Sequence, residues 1–264
     1  MVDAATRSPE GQLWETLSGF LADRSPWFVE LRPLLAGLDG RGEAFLFGGS
    51  LRDLALRGLD ARPRDIDIVF SGVPVDEVRA AVRPYTQRQT RFGGFQLSVK
   101  GVEVDLWPLA STWAFGQMAL ATPSFADLPS TTFLDIEAIV AELPLSTHSR
   151  DRIYSRGFFH SLTTRTIEIN YEENPYPEFC LARSLDLASR LGFSIGPRLS
   201  RFASEWFARL KDEQLADAHR ATHGTANCPD CLFQSWRRAI RESVPDRPVP
   251  ALKRNSGTGH CSRP

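Results

Sequence analysis

Residues 45–69 read FLFGGSLRDLALRGLDARPRDIDIV, and this stretch decides the fold. It predicts a strand that enters a tight glycine turn, then a short helix, then a second strand that carries Asp65 and Asp67. Residues i and i+2 of a strand point to the same side, so these two carboxylates share one face. Ile66, between them, then points into the core. An isolated Asp-x-Asp is more often a solvated strand face, so the neighbouring segments decide the interpretation.

A second acidic strand follows further along the chain. Residues 101–107 read GVEVDLW, in which Glu103 and Asp105 alternate with apolar residues and so share one strand face. Hard oxygen ligands beside a tight glycine turn suit a site that holds Mg²⁺ and a nucleoside triphosphate. We expect either Asp105 or Glu103 to supply a third carboxylate, because strand alternation places both on the same face.

Residues 45–69 resemble the head domain of the polymerase-β-type nucleotidyltransferases, in particular bacterial poly(A) polymerases and class II CCA-adding enzymes. The positions that match the motifs of this family are Gly48, Gly49, Arg52, Asp53, Gly58, Pro63, Asp65 and Asp67. A second segment, RSLDLASRLGF at 183–193, resembles the neck helix of those enzymes. The resemblance implies an α+β fold: a small mixed or antiparallel sheet flanked by helices, followed by a helical neck.

The resemblance also implies a reaction, a two-Mg²⁺ nucleotidyl transfer from an NTP to an acceptor hydroxyl with release of pyrophosphate. The catalytic, magnesium-binding residues it implies are Asp65, Asp67 and Asp105. The nucleotide-binding residues it implies are Gly48, Gly49 and Ser50, whose backbone amides approach the phosphates, and Arg52, which contacts phosphate or sugar.

The chain departs from the CCA-adding enzymes just before the neck helix. Where that family carries Glu-Asp-x-x-Arg to select CTP and ATP, this chain has Tyr176, Pro177 and, at the arginine position, Cys180. A proline and a thiol do not supply the donors and acceptors that read a base edge. The acceptor therefore stays open between an RNA or tRNA 3′ end, a nucleotide and another hydroxyl. The alternative class is a non-catalytic nucleotide-binding or zinc-mediated interaction protein.

A second group of metal-ligand residue types lies near the C-terminus. His219-x-x-x-His223 is followed by Cys228-Pro-Asp-Cys231. On a helix, residues i and i+4 share a face, and a Cys-x-x-Cys turn brings two thiolates together. Four protein ligands complete a tetrahedron, so the spacing predicts a structural Zn²⁺. The alternatives are surface histidines beside a reduced thiol pair and a redox Cys-x-x-Cys.

The segment WPLASTWAF at 107–115 is rich in aromatic residues. It has two interpretations, core packing beneath the sheet or stacking of Trp107 or Trp113 on a nucleobase, because an aromatic face binds any base. Residues Pro177 to Leu191 and Leu199 to Ala218 have the pattern of two amphipathic helices.

Composition limits the class of protein. With 42% hydrophobic and 24% charged residues the chain is ordinary for a globular protein. A formal net charge of −1 argues against a strongly basic nucleic-acid-binding surface, although it leaves room for a local basic stripe. No run approaches the roughly eighteen apolar residues of a membrane helix, and the N-terminus lacks an apolar signal core. We expect a cytoplasmic protein with no membrane partner.

We expect five segments along the chain. They are N-terminal helices packing on the head at 1–40, the head at 41–150, a strand and helical neck at 151–208, a helical module with the zinc site at 209–242, and a disordered tail at 243–264.

Overall fold

The computed structural model describes residues 8–36, 42–90, 93–118, 120, 122–145, 151–223 and 229–252. The chain forms two compact units: Met1–Thr132 with Ile136–Phe159, and Phe133–Asp135 with His160–Pro264. The predicted combination of a mostly antiparallel sheet with flanking helices is confirmed. Over the described ranges, no helix has both the length and the apolar character needed to cross a lipid bilayer.

A seven-stranded sheet forms the centre of the first unit. Its strands are β1 Glu43–Phe47, β2 Asp65–Ser71, β3 Thr86–Gln89, β4 Phe95–Val99, β5 Val102–Pro108, β6 Ile139–Glu142 and β7 Ile153–Ser155. They lie in the order β3-β4-β5-β2-β1-β6-β7. Strands β2 and β5 are parallel, and the other neighbouring pairs are antiparallel.

Helices surround this sheet. They are α1 Pro9–Asp23, α2 Pro26–Ala36, α3 Gly49–Arg57, α4 Val75–Val82 and α5 Trp113–Met118, and α6 Phe158–Thr164 begins in the first unit and ends in the second. Helix α1 begins where Ser8 accepts a hydrogen bond from the Gly11 amide through its hydroxyl, at 3.2 Å. It buries Leu13, Leu17 and Phe20, whose spacing places them on one helix face. Helix α1 contacts α3, α2 contacts β4, and α3 contacts β1 and β2.

An aromatic cluster covers part of one sheet face. Its buried members are Phe45, Val69, Leu109, Phe115, Phe125, Leu128 and Val140. Trp107 packs against this cluster, and its indole Nε1 donates a hydrogen bond to the Thr112 hydroxyl at 3.2 Å. Its ring also meets the Phe47 ring edge-on, with centroids 5.9 Å apart. For Trp107, the structure therefore supports core packing.

The second unit is mostly helical. It contains α7 Pro177–Leu191, α8 Pro197–Arg209, α9 Asp212–His223, α10 Pro229–Arg241 and two short parallel strands, β8 Thr166–Ile167 and β9 Ser194–Ile195. The helix predicted from Leu199 to Ala218 is in fact two helices. Leu210 has extended backbone angles after α8, and the Gln214 side chain accepts a hydrogen bond from the Lys211 amide at 3.0 Å, which starts α9.

Glu168 fixes the start of α8. Its carboxylate accepts hydrogen bonds from the amides of Arg198 and Leu199, at 2.9 and 2.7 Å. These are first-turn donors, which have no partner inside the helix. Gly196 leaves room for this carboxylate, because a Cβ there would lie 2.4 Å from a Glu168 oxygen and would force the carboxylate to shift.

The segment predicted as a disordered tail, 243–264, begins with ordered residues. Val249 is fully buried and exchanges two backbone hydrogen bonds with Ile195, at 2.8 and 3.0 Å. An apolar side chain and a backbone pair therefore hold this part of the segment, although its composition is polar and rich in proline. Residues 253–264 lie outside the described residues.

Candidate active site

The Asp-x-Asp strand lies inside the sheet, between β1 and β5. Asp67 is the register partner of Phe47 on β1 and of Asp105 on β5, and Asp65 is the partner of Glu103. Register partners on neighbouring strands share a face and lie about 5 Å apart. The sheet therefore brings together the three carboxylates predicted from the sequence, and Glu103 with them.

Burial differs between the two faces of these strands. Ile66 and Ile68 are 1% and 0% exposed on the face opposite the carboxylates. Asp67 and Asp105 are partly buried, whereas Glu103 is exposed. Burial and direct register with Asp67 favour Asp105 over Glu103 as the third carboxylate.

The carboxylates influence one another. Burial raises the pKa of Asp105, and the negative charges of Asp65 and Glu103 raise the pKa further. The positive charge of Arg88 lowers it, as the weakest of these influences. The contributions of Asp65 and Glu103 to this shift are repulsions between like charges on one face of the sheet, which a bound cation would offset.

The side chains as they stand do not form a closed metal cage. Within the described ranges, no three or more His, Cys, Asp or Glu side chains are placed so that they could hold a metal ion. Asp65 instead pairs with Arg64, with Nη2 and Oδ2 2.8 Å apart. These side chains are 72% and 47% exposed, and an exposed pair contributes only about 0–1 kcal/mol. Release of Asp65 therefore costs little, and the carboxylate oxygens are the donors that Mg²⁺ prefers.

A glycine turn joins β1 to α3. Gly48 has φ +71° and ψ −121°, a backbone region in which a side chain is strained. Its amide donates to the Ile139 carbonyl at 3.0 Å, and its carbonyl accepts from the amides of Leu51 and Arg52. Helix α3 begins at the next residue, Gly49. The turn therefore places a helix N-terminus, which favours anions, directly after the strand that pairs with Asp67.

Ser50 lies in the first turn of α3. It is 4% exposed, and its hydroxyl oxygen has no hydrogen-bond partner among the residues that the structure describes. A buried polar atom of this kind ordinarily costs stability unless a ligand or water satisfies it. The Ser50 hydroxyl is thus a second potential donor beside the backbone amide that we expect to approach the phosphates.

Arg52 is held in a buried ion pair that the sequence does not reveal. Its Nη1 donates to a carboxylate oxygen of Glu137, and its Nε donates to Asp53 at 2.9 Å. The Arg52 and Glu137 side chains are each 9% exposed. The guanidinium that we expect to contact phosphate or sugar is therefore already bound by two carboxylates. Glu137 lies 85 residues away in a run that also contains Asp135 and Glu142, so the sequence does not single it out as the partner of Arg52.

The predicted zinc site is not supported by the described residues. His219 is fully buried on α9, with Nε2 3.5 Å from an Asp186 carboxylate oxygen. Cys231 lies in the first turn of α10 and is disulfide-bonded, so it is not a free thiolate ligand. The His223 side chain and Cys228 lie outside the described residues. Because these two residues are not described, the zinc hypothesis stays a prediction from residue spacing.

The segment before the neck helix presents aromatic side chains. Tyr176 and Phe179 are exposed at the start of α7, with ring centroids 6.1 Å apart. Cys180, at the position of the family's base-reading arginine, is buried, and burial raises the pKa of its thiol to about 12. A buried neutral thiol does not replace a guanidinium.

A pH-dependent stability effect follows from the raised pKa of Asp105. We expect Asp105→Asn to raise the free energy of unfolding of the metal-free protein at neutral pH. The folded protein binds this proton more tightly than the unfolded chain, so ionisation destabilises the fold as pH rises from the ordinary value of 3.8 through the raised pKa. The increase in the free energy of unfolding caused by Asp105→Asn is therefore complete above the raised pKa and disappears below pH 3.8.

Urea unfolding in EDTA at about pH 8 and about pH 3 measures this effect. Asp60→Asn is the matched control, because Asp60 is exposed in the short 3₁₀ helix Gly58–Asp60. A gain of equal size at both pH values would contradict the electrostatic origin.

Comparison with known proteins places the fold. The sequence matches no protein-family model, and no curated protein matches it significantly. Its structure is similar to that of a Thermotoga maritima CCA-adding enzyme complexed with tRNA, at TM-score 0.59 and 19% identity, covering 85% of this chain and 53% of that chain. A CCA-adding enzyme solved with CTP gives TM-score 0.60, 17% identity and coverage of 85% and 54%.

A tRNA nucleotidyltransferase solved with a primer tRNA and an ATP analogue gives TM-score 0.58 and 14% identity, covering 80% of this chain and 60% of that chain. This chain therefore spans little more than half the length of the solved structures it matches. The resemblance predicted from residues 45–69 is confirmed at the level of the fold, which this chain shares with CCA-adding enzymes and tRNA nucleotidyltransferases.

Proposed function

We propose that this protein transfers a nucleoside monophosphate from an NTP to an acceptor hydroxyl and releases pyrophosphate. The observation that carries the proposal is the strand register that sets Asp67 opposite Asp105, and Asp65 opposite Glu103. The glycine turn and the first turn of α3, which carries Ser50, follow β1 directly after Phe47, the register partner of Asp67. Carboxylates beside a phosphate-binding turn are what phosphoryl transfer requires.

In the proposed reaction the acceptor oxygen bonds to the α-phosphorus of the NTP. The bond from that phosphorus to the bridging oxygen of pyrophosphate breaks, and the hydroxyl proton leaves to solvent. The backbone amides of Gly49 and Ser50, together with the Ser50 hydroxyl, hold the triphosphate at the N-terminus of α3, and Gly48, whose amide is bonded to the Ile139 carbonyl, shapes the turn that presents them. Their role is to orient the α-phosphorus for in-line attack.

Asp65, Asp67 and Asp105 are the residues that would hold two Mg²⁺ ions, with Glu103 as the alternative to Asp105. When bound, Mg²⁺ supplies Lewis acidity at the acceptor hydroxyl and charge neutralisation at the leaving pyrophosphate. The chain contributes oxygen ligands on one sheet face, and an exposed Arg64 pair from which Asp65 is readily released.

RNA is the acceptor that we propose to test first. Solved structures with this fold contain tRNA together with the enzyme, and others contain CTP or ATP. The exposed Tyr176 and Phe179 pair and the buried Cys180 thiol stand where CCA-adding enzymes select the base. We therefore infer that nucleotide choice here does not follow the CTP and ATP rule of those enzymes.

An incorporation assay tests the proposal. The purified protein is incubated with Mg²⁺ and each labelled NTP separately, with bulk tRNA, with cell extract or without acceptor. Pyrophosphate release with labelled RNA is the expected result. Labelled oligonucleotide or cyclic products without acceptor would assign the transfer to a nucleotide hydroxyl. Tight NTP binding without turnover under every condition would favour a non-catalytic nucleotide-binding protein.

A further inference from the structure

One row of register partners crosses the carboxylate face of the sheet. It runs from Phe47 on β1 to Asp67 on β2, Asp105 on β5, Gln96 on β4 and Arg88 on β3. Each residue is paired with the next, so their side chains share one face. The proposed reaction uses the carboxylates in the middle of the row and gives no role to Gln96 or Arg88.

A β-bulge in β3 places Arg88 on this face. Thr86 pairs with Leu97, whereas Arg88 pairs with Gln96, so β3 contains one extra residue between these two pairs. Without the bulge, Arg88 would pair with Phe95, which is 1% exposed on the opposite, apolar face. Bulges beside functional sites often redirect a side chain in this way. The bulge therefore brings a cation to the carboxylate face.

The charge of Arg88 is available at this face. Its side chain is exposed, and it forms no ion pair with any residue in the part of the chain that the structure describes. Arg88 lies two strands from Asp105, which is about 10 Å. An arginine at that distance can bind an anion next to the carboxylates without occupying their ligand positions.

The in-line geometry of phosphoryl transfer indicates which substrate lies near Arg88. In phosphoryl transfer the attacking and leaving oxygens lie on opposite sides of the phosphorus. The glycine turn and Ser50 follow β1, at the Phe47 end of the row, so that end takes the triphosphate. The acceptor then approaches from the β4 and β3 end.

We propose that Arg88 and Gln96 form an acceptor subsite that binds a phosphate of the acceptor beside its attacking hydroxyl. This inference rests on the proposed function and narrows it to a phosphate-bearing acceptor such as an RNA 3′ end. The guanidinium offers two parallel N–H donors to phosphate oxygens, and the Gln96 amide offers a further donor. An acceptor hydroxyl on a protein or an uncharged small molecule would leave the subsite unused.

Steady-state kinetics of Arg88→Ala with a 3′-hydroxyl tRNA and NTP test the subsite. We expect KM for the RNA to rise about 10-fold or more, as for a lost hydrogen bond between charged partners. KM for NTP and the melting temperature should stay unchanged. The salt dependence of RNA binding should weaken by about one unit of slope, and Arg88→Lys should recover part of the loss. The matched control is Arg79→Ala, which removes an exposed arginine on α4.

The outcomes separate this inference from the proposed function. An active wild-type enzyme with an unchanged KM for RNA in Arg88→Ala would overturn the subsite alone. A rise confined to KM for NTP would overturn its assignment to the acceptor. An inactive wild-type protein would remove the proposed function. In that case, fluorescence anisotropy measures the affinity of wild type and Arg88→Ala for the same tRNA at several salt concentrations. Equal affinities and equal salt slopes would reject the subsite.

Discussion

Asp67→Asn is expected to lower nucleotidyl-transfer turnover at least about a hundredfold while the melting temperature stays near that of wild type. Asp67 lies in the middle of the carboxylate row, directly opposite Asp105. Asparagine preserves the size of the side chain and removes its charge, so metal binding is lost without a cavity. Pyrophosphate release under saturating Mg²⁺, NTP and RNA measures the effect.

Asp60→Asn provides the control for Asp67→Asn, because it removes an exposed carboxylate elsewhere in the same unit. Asp105→Asn should cause a loss comparable to that of Asp67→Asn, whereas Glu103→Gln should change turnover only a few-fold. The reverse order would make Glu103 the third carboxylate. Turnover of Asp67→Asn within a few-fold of wild type would exclude the metal-binding role of this residue.

Arg52→Ala is expected to lower the free energy of unfolding by about 3–5 kcal/mol. Arg52 and Glu137 form a buried ion pair between α3 and the segment before β6. Removal of the guanidinium leaves the Glu137 carboxylate in a poorly solvated position without this partner, which costs more than the pair contributes when intact. Urea denaturation of wild type and variant measures the difference.

Two comparisons interpret the Arg52 result. Arg79→Ala removes one partner of an exposed ion pair with Asp76 and should change stability by less than about 1 kcal/mol. The double variant Arg52→Met, Glu137→Leu should recover much of the lost stability, because it removes both charges. An Arg52→Ala protein of normal stability that binds NTP weakly would instead establish Arg52 as a phosphate ligand.

The central part of the site could be predicted from sequence because its determinants are local. The alternation in Asp65-Ile66-Asp67 determines which side chains share a face, whatever the rest of the sheet does. The turn could be predicted from its glycines, because a tight turn requires a positive φ, as at Gly48, and residues with a side chain avoid that conformation. Helix α7 has the bounds that its apolar spacing predicts, because a proline starts it and Gly192 ends it in the left-handed conformation.

Other features could not be predicted, because they depend on residues that are distant in the chain. The spacing that predicts His219 as a zinc ligand does not show that the packing of α9 against α7 buries this side chain beside Asp186. The composition of 243–264 predicted a disordered tail, yet Val249 within this segment finds its backbone partner in β9. In both cases the contact is made with a segment that is distant in the chain.

The sequence by itself determined the strand with two carboxylates, the glycine turn that precedes it and the similarity of the fold to nucleotidyltransferases. Each of these depends on neighbouring residues and on backbone preferences. Only the tertiary structure decided that Asp105 stands opposite Asp67, that Glu137 holds Arg52, and that a bulge turns Arg88 toward the carboxylates. Strand register and burial arise from contacts between segments many residues apart, and periodicity along one segment does not encode them.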